Sequence, residues 1–173
     1  MASKPVGVRA LMSALLCFFS VLPSESTQSA PGLTEVELKA VFLLRLPQFV
    51  SWSDERQPTT FCATERSEVT DLLAEMVVLE PWGRTLKIID AEASEECDVV
   101  YGSAASVLRV SARRALLVSD EPGYARNGGM VELKRRGARI DLVVNVGALE
   151  SAGLRASSKL LQLSEVVGVR PDD

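Results

Sequence analysis

The chain has 173 residues, of which 47% are apolar and 24% charged, with a formal net charge of −4 and no histidine. That length suits one domain with a buried core, and the acidic balance argues against a dedicated nucleic-acid binder, which needs a basic footprint to neutralise phosphates. Without histidine, neither a tetrahedral zinc shell nor a histidine-based nucleophile can be assembled from the cysteines and serines present.

At the N-terminus, Lys4 and Arg9 precede an apolar run from Ala10 to Leu22, and small polar residues follow from Pro23 to Ala30. A bilayer core takes roughly 20 apolar residues to cross, so this shorter run reads as the core of a secretory signal peptide over residues 1–26. An uncleaved anchor is the alternative. Leu16 before Cys17 is too large for the position ahead of a lipidated cysteine. Cleavage removes Lys4, Arg9 and Glu25 from the 19 basic and 23 acidic side chains, leaving 17 and 22 and a formal net charge of −5. The expected product is an exported domain in the periplasm, with no further segment that inserts into a membrane.

Export changes the reading of the cysteines, because disulfides persist in oxidising compartments. Cys62 and Cys97 remain, each at the mouth of a predicted strand. Export and these positions predict a Cys62–Cys97 disulfide; the alternative is two buried thiols packed as small hydrophobes.

The first element is announced by Thr34 and Glu37, a capping-box pair, and Leu38, Val41, Phe42, Phe49 and Val50 recur near helical spacing. Pro47 cannot sit in a regular helix interior, so a kink or short break is expected at Leu46. A strand follows at Thr60–Thr64, then a helix capped by Ser67 with Val69, Leu72, Leu73, Met76 and Val77 on one face. Pro81-Trp82-Gly83 ends that unit. Strands are predicted at Leu86–Ile89, Cys97–Tyr101 and Ala115–Ser119, with a short helix over Ser103–Val110. The acidic stretch Glu92, Glu95 and Glu96 reads as a solvated loop rather than a metal site.

Ser119-Asp120 opens a turn-rich loop through Gly123, Gly128 and Gly129, and the adjacent glycines after Asn127 predict positive φ before the next strand. A hairpin follows, with Val131 and Leu133 alternating on one arm, Ile140, Leu142 and Val144 on the other, and Arg136-Gly137-Ala138 at the turn. Asn145 caps a short helix over Gly147–Ala152, ended by Gly153. In the tail, Ser157, Ser158 and Lys159 admit either an anion at a helix start or simple capping by Ser157. Strands alternating with helices predict an α/β fold: a single-domain three-layer sandwich with a mostly parallel sheet and an antiparallel hairpin at one edge, spanning residues 34–167, with a short polar tail at 168–173.

ELKAVFLLRLPQFVSW, the element Ser119, Asp120, Gly123, Tyr124, Gly128, Gly129, and the element Arg155 with Ser157 to Leu161 together resemble the YfiR-like family of periplasmic proteins. Pro47 and Leu43-Leu44-Arg45 depart from the family pattern in the first helix. The resemblance implies a small, often dimeric α/β regulator, without catalytic residues or cofactor. Such a protein restrains a membrane-anchored diguanylate cyclase by binding its periplasmic sensor region, and so controls cyclic di-GMP and biofilm formation. Related domains serve histidine kinases as sensory inputs, so the competing class is a ligand-binding module with its cleft beside Asp120 to Met130. The expected contact residues are Leu43 and Phe49 on the first helix, Asp120, Tyr124 and Arg126 on the loop, and Arg155, Ser157, Ser158 and Lys159 in the tail. Gly123, Gly128 and Gly129 are expected to shape the loop backbone.

Overall fold

In chain order the elements are α1 (Glu35–Arg45), a 3-10 turn (Leu46–Phe49), β1 (Val50–Trp52), β2 (Thr60–Ala63), α2 (Glu68–Val78), β3 (Thr85–Ile88), β4 (Val99–Tyr101), α3 (Ala104–Val107), β5 (Leu116–Ser119), β6 (Val131–Arg136), β7 (Arg139–Asn145), α4 (Val146–Ser151), β8 (Leu154–Ala156), α5 (Ser158–Gln162) and β9 (Ser164–Val167). They come from a computed structural model that describes residues 32–54, 57–80, 83–89, 96–110 and 114–168. The predicted signal peptide, Pro81-Trp82, Glu92, Glu95 and the tail beyond Gly168 lie outside the described residues. Among the described residues no helix is long and apolar enough to cross a membrane.

Seven strands form one sheet in the order β3-β2-β4-β5-β6-β7-β9, parallel except for the β6–β7 hairpin. The hairpin forms where the alternation placed it, and β9 extends the sheet one strand further, parallel to β7. A separate antiparallel ribbon pairs β1 with β8. One sheet face carries Phe61, Val99, Tyr101, Leu116, Val118, Val131, Leu133, Ile140, Leu142 and Val144 against α1 and α2. The opposite face buries Cys62, Val100 and Ala115 under Val107 of α3 and Tyr124.

Local chemistry explains the helix ends. Thr34 and Glu37 form a reciprocal capping box, as do Ser67 and Thr70, so two orphan amides at each helix start are satisfied. Pro47 ends α1 as expected: the chain leaves the α-helix at Arg45, and the proline sits at the start of a single 3-10 turn, where no amide is demanded of it.

The buried face of α1 is a correction. Ala40, Leu43 and Leu44 are in the core, whereas Val41 is exposed and Phe42 only partly covered. The helix is apolar on most of its circumference, so its periodicity admits two stripes, and packing against α2 and β7 selects the one through Leu43.

Candidate functional site

The glycine loop that leaves β5 is a packed structural element. Asp120, one residue past the carboxyl end of β5, accepts a 2.6 Å hydrogen bond from Lys39 of α1, and Lys39 also reaches Glu35 at 2.7 Å. Burial works against the Lys39 ammonium, but its hydrogen bonds to Asp120 and Glu35 outweigh that and hold its pKa above the ordinary lysine value. The Lys39 hydrogen bond in turn holds Glu35 below the usual carboxylate range. Tyr101 is pushed above the ordinary phenol range by burial and by the Asp120 carboxylate beside it. Asp120 therefore fastens the loop to α1, and Lys39 is a partner that sequence reading missed, because it lies 81 residues away in the chain.

Tyr124 is not a surface residue. It is buried against the disulfide cluster, and burial raises its hydroxyl pKa. A Cβ at Gly129 would overlap its ring. Gly128 has positive φ, +97°, as expected, but Gly129 does not; that glycine is required by the close approach of Tyr124, and Gly123 is also left-handed at +85°. In the same loop, buried Glu132 accepts from the Ala125 amide, and the Asn145 side chain donates to the Ala125 carbonyl while capping α4. Arg126 reaches outward and pairs with Glu165 of β9. Around the cleft expected beside Asp120 to Met130, the side chains of Asp120, Tyr124 and Glu132 are thus engaged within the protein.

The remaining predicted residues gather elsewhere. Leu43 is fully buried and cannot contact a partner, because the stripe of α1 that faces the sheet runs through it. Phe49, by contrast, is half-buried and lines an apolar groove of about 350 Å3 with Val41, Phe42, Leu46, Ile140, Leu142, Leu160 and Leu163. Lys159 lies over the Phe49 ring, 5.7 Å from its centroid. Ser157 accepts from the Leu160 amide and so caps α5, with Ser158 exposed beside it; of the two tail readings the capping one describes the geometry. Arg155 sits opposite Ser51 in the β1–β8 ribbon and faces a separate polar hollow with Ser53 and Glu150.

Leu163 is 71% exposed, and Val41, on the same groove, is also open to water. The sequence reading did not single out Leu163. The available signal was the run Leu160-Leu161-Gln162-Leu163, whose third leucine lies beyond the end of α5 and is left outside the core.

Cys62 and Cys97 form a disulfide that ties β2 to the segment leading into β4, with both residues buried. Among the described residues no three His, Cys, Asp or Glu side chains converge to hold a metal ion.

A mostly parallel α/β sheet with an internal hairpin, stapled by one disulfide and carrying an apolar groove, defines a small disulfide-tied α/β domain. The chain belongs to the YfiR/HmsC-like family, whose model matches residues 36–165. Among solved structures it is similar to a conserved domain protein from Vibrio cholerae O1 biovar El Tor str. N16961, at 14% identity and a TM-score of 0.50, over 78% of this chain and 60% of that one. At that identity the likeness concerns the fold. No curated protein matches the chain in sequence.

Proposed function

We propose that the protein is a periplasmic repressor that binds the periplasmic sensor region of a membrane-anchored diguanylate cyclase, as a homodimer and without catalysis. The observation that supports this most is the groove between α1, the 3-10 turn, β7 and α5, in which Phe42, Phe49, Ile140 and Leu142 form an apolar floor beside exposed Leu163. Apolar surface of this kind, rimmed by Arg45, Asp141 and Lys159, is what a protein contact removes from water. Membership of the YfiR/HmsC-like family supplies the kind of partner. Affinity capture of the protein from membranes tests the reading. The wild type should bring down a cyclase, and Leu163→Asp, which places a charge at an exposed position, should lose it without losing stability; capture unaffected by Leu163→Asp would remove the groove from the account.

A second reading, a sensory module for a small polar ligand, is favoured by the hollow on the β1–β8 ribbon. About 810 Å3 in volume, it presents Ser51, Ser53, Glu150 and Arg155 around Trp52. Saturable thermal stabilisation by a small molecule, abolished by Arg155→Ala, would support it.

A further inference from the structure

The tip of the β6–β7 hairpin has a composition at odds with the rest of this acidic chain. Lys134, Arg135, Arg136 and Arg139 fall within six residues around a two-residue turn, Gly137-Ala138. Gly137, at the first turn position, has φ +61°, as a hairpin turn of this length requires. The register sets Arg136 directly opposite Arg139. Like charges in a cross-strand pair are destabilising, and a cross-strand pair of opposite charge would stabilise the same hairpin. Local rules broken without a structural gain mark functional positions.

The surroundings relieve this only in part. Arg136 pairs with Asp141 at 2.6 Å and Arg135 with Glu35 at 2.8 Å, while Lys134 and Arg126 share Glu165. At the exposed end of the hairpin Arg135, Arg136 and Arg139 thus face Glu35 and Asp141, and Glu35 is shared with Lys39, so cations are in excess there. Strand alternation puts Arg135 on one face of the sheet and Arg136 and Arg139 on the other, so the cations straddle the tip. Between them the tip is small and uncharged, and Leu33, 58% exposed, lines the same shallow hollow as Arg135, Gly137, Ala138 and Arg139. Cations bracketing an exposed leucine match the boundary of a bilayer, where guanidinium groups reach lipid phosphates and a single apolar side chain enters the headgroup region.

We propose that this tip docks the protein on anionic phospholipid headgroups, with Arg135, Arg136 and Arg139 meeting the phosphates and Leu33 the interface. The occupant is the lipid surface rather than an acidic protein segment, because the cations lie on both faces of an exposed turn, an arrangement that meets a plane rather than enclosing a chain. The site is separate from the apolar groove and goes beyond the cyclase reading.

Flotation with vesicles tests it, using the full-length protein as purified from its producing cells. Vesicles of phosphatidylcholine alone are compared with vesicles containing phosphatidylglycerol. The phosphatidylglycerol-dependent binding should exceed that to phosphatidylcholine by roughly tenfold at low salt and shrink strongly at about 1 M salt, where the screening length falls to ~3 Å. Arg135→Gln/Arg136→Gln/Arg139→Gln should abolish the difference while melting at a temperature close to wild type, and Leu33→Ala should weaken binding to a lesser degree. Equal binding to both vesicle types, or a lipid-dependent difference that survives the triple substitution, overturns the proposal. Loss of partner capture in the triple variant with vesicle binding unchanged would also overturn it, in favour of an acidic protein contact.

Discussion

Gly128 and Gly129 are adjacent and serve different physical ends. At Gly128 the backbone is left-handed, φ +97°, and no atom beyond its chain neighbours lies within 4 Å of the point where a Cβ would stand, so Gly128→Ala should cost only the conformational penalty, on the order of 1 kcal/mol. Gly129 has an ordinary backbone but touches the Tyr124 ring, so Gly129→Ala overpacks a buried site and should cost roughly 1–3 kcal/mol. Tyr124→Leu combined with Gly129→Ala should be markedly less destabilising than the sum of the two changes, since removing the ring relieves the overlap with the added Cβ. Denaturant melts of the four proteins check this, and strict additivity would mean that the ring and the glycine do not press on one another. The sequence showed that the glycines were structural, because turn chemistry is local. It did not show that Tyr124 lies inside, because an aromatic on a glycine loop reads the same whether the loop folds inward or out.

At the level of elements, the disulfide is the clearest case of a long-range tie that two residues announce. Cys62 and Cys97 are 35 positions apart, and closing a loop of that length constrains the unfolded chain by about 3–4 kcal/mol. A Cys62→Ala/Cys97→Ala variant should lose stability of that order in chemical denaturation, and oxidised wild type should yield the linked peptide pair in non-reducing mass spectrometry. Two freely alkylated thiols would contradict the structure. Helix starts were legible because Thr34 with Glu37 and Ser67 with its following turn are short-range signals. The strands β1, β8 and β9 were not, since each is three or four residues long and exists only through partners distant in sequence: Val50 meets Ala156, and Val143 meets Glu165. Those three short strands are also what assemble the groove. They carry the chain from the 3-10 turn to α5 and back along β7, bringing Phe49 beside Leu160 and Leu163. A reading that placed the helices correctly still could not see the groove, because its walls meet only after non-local pairing.

For the whole molecule, the class of fold was written in the alternation of strand and helix, and the family in a few joint motifs, whereas the contact surface was not. Of the residues expected to face a partner, Leu43 and Tyr124 are interior, Asp120 is tied to Lys39, and Phe49 lines the groove with Lys159 over its ring. If, as proposed, this chain represses a diguanylate cyclase by contact through that groove, intracellular cyclic di-GMP is the direct readout. Deleting the gene should raise cyclic di-GMP and attachment, and deleting the partner cyclase as well should cancel the rise. Complementation with the wild type should restore the low level, and complementation with Leu163→Asp, produced at equal amount, should not. Cyclic di-GMP that stays unchanged on deletion across several growth conditions would contradict the account.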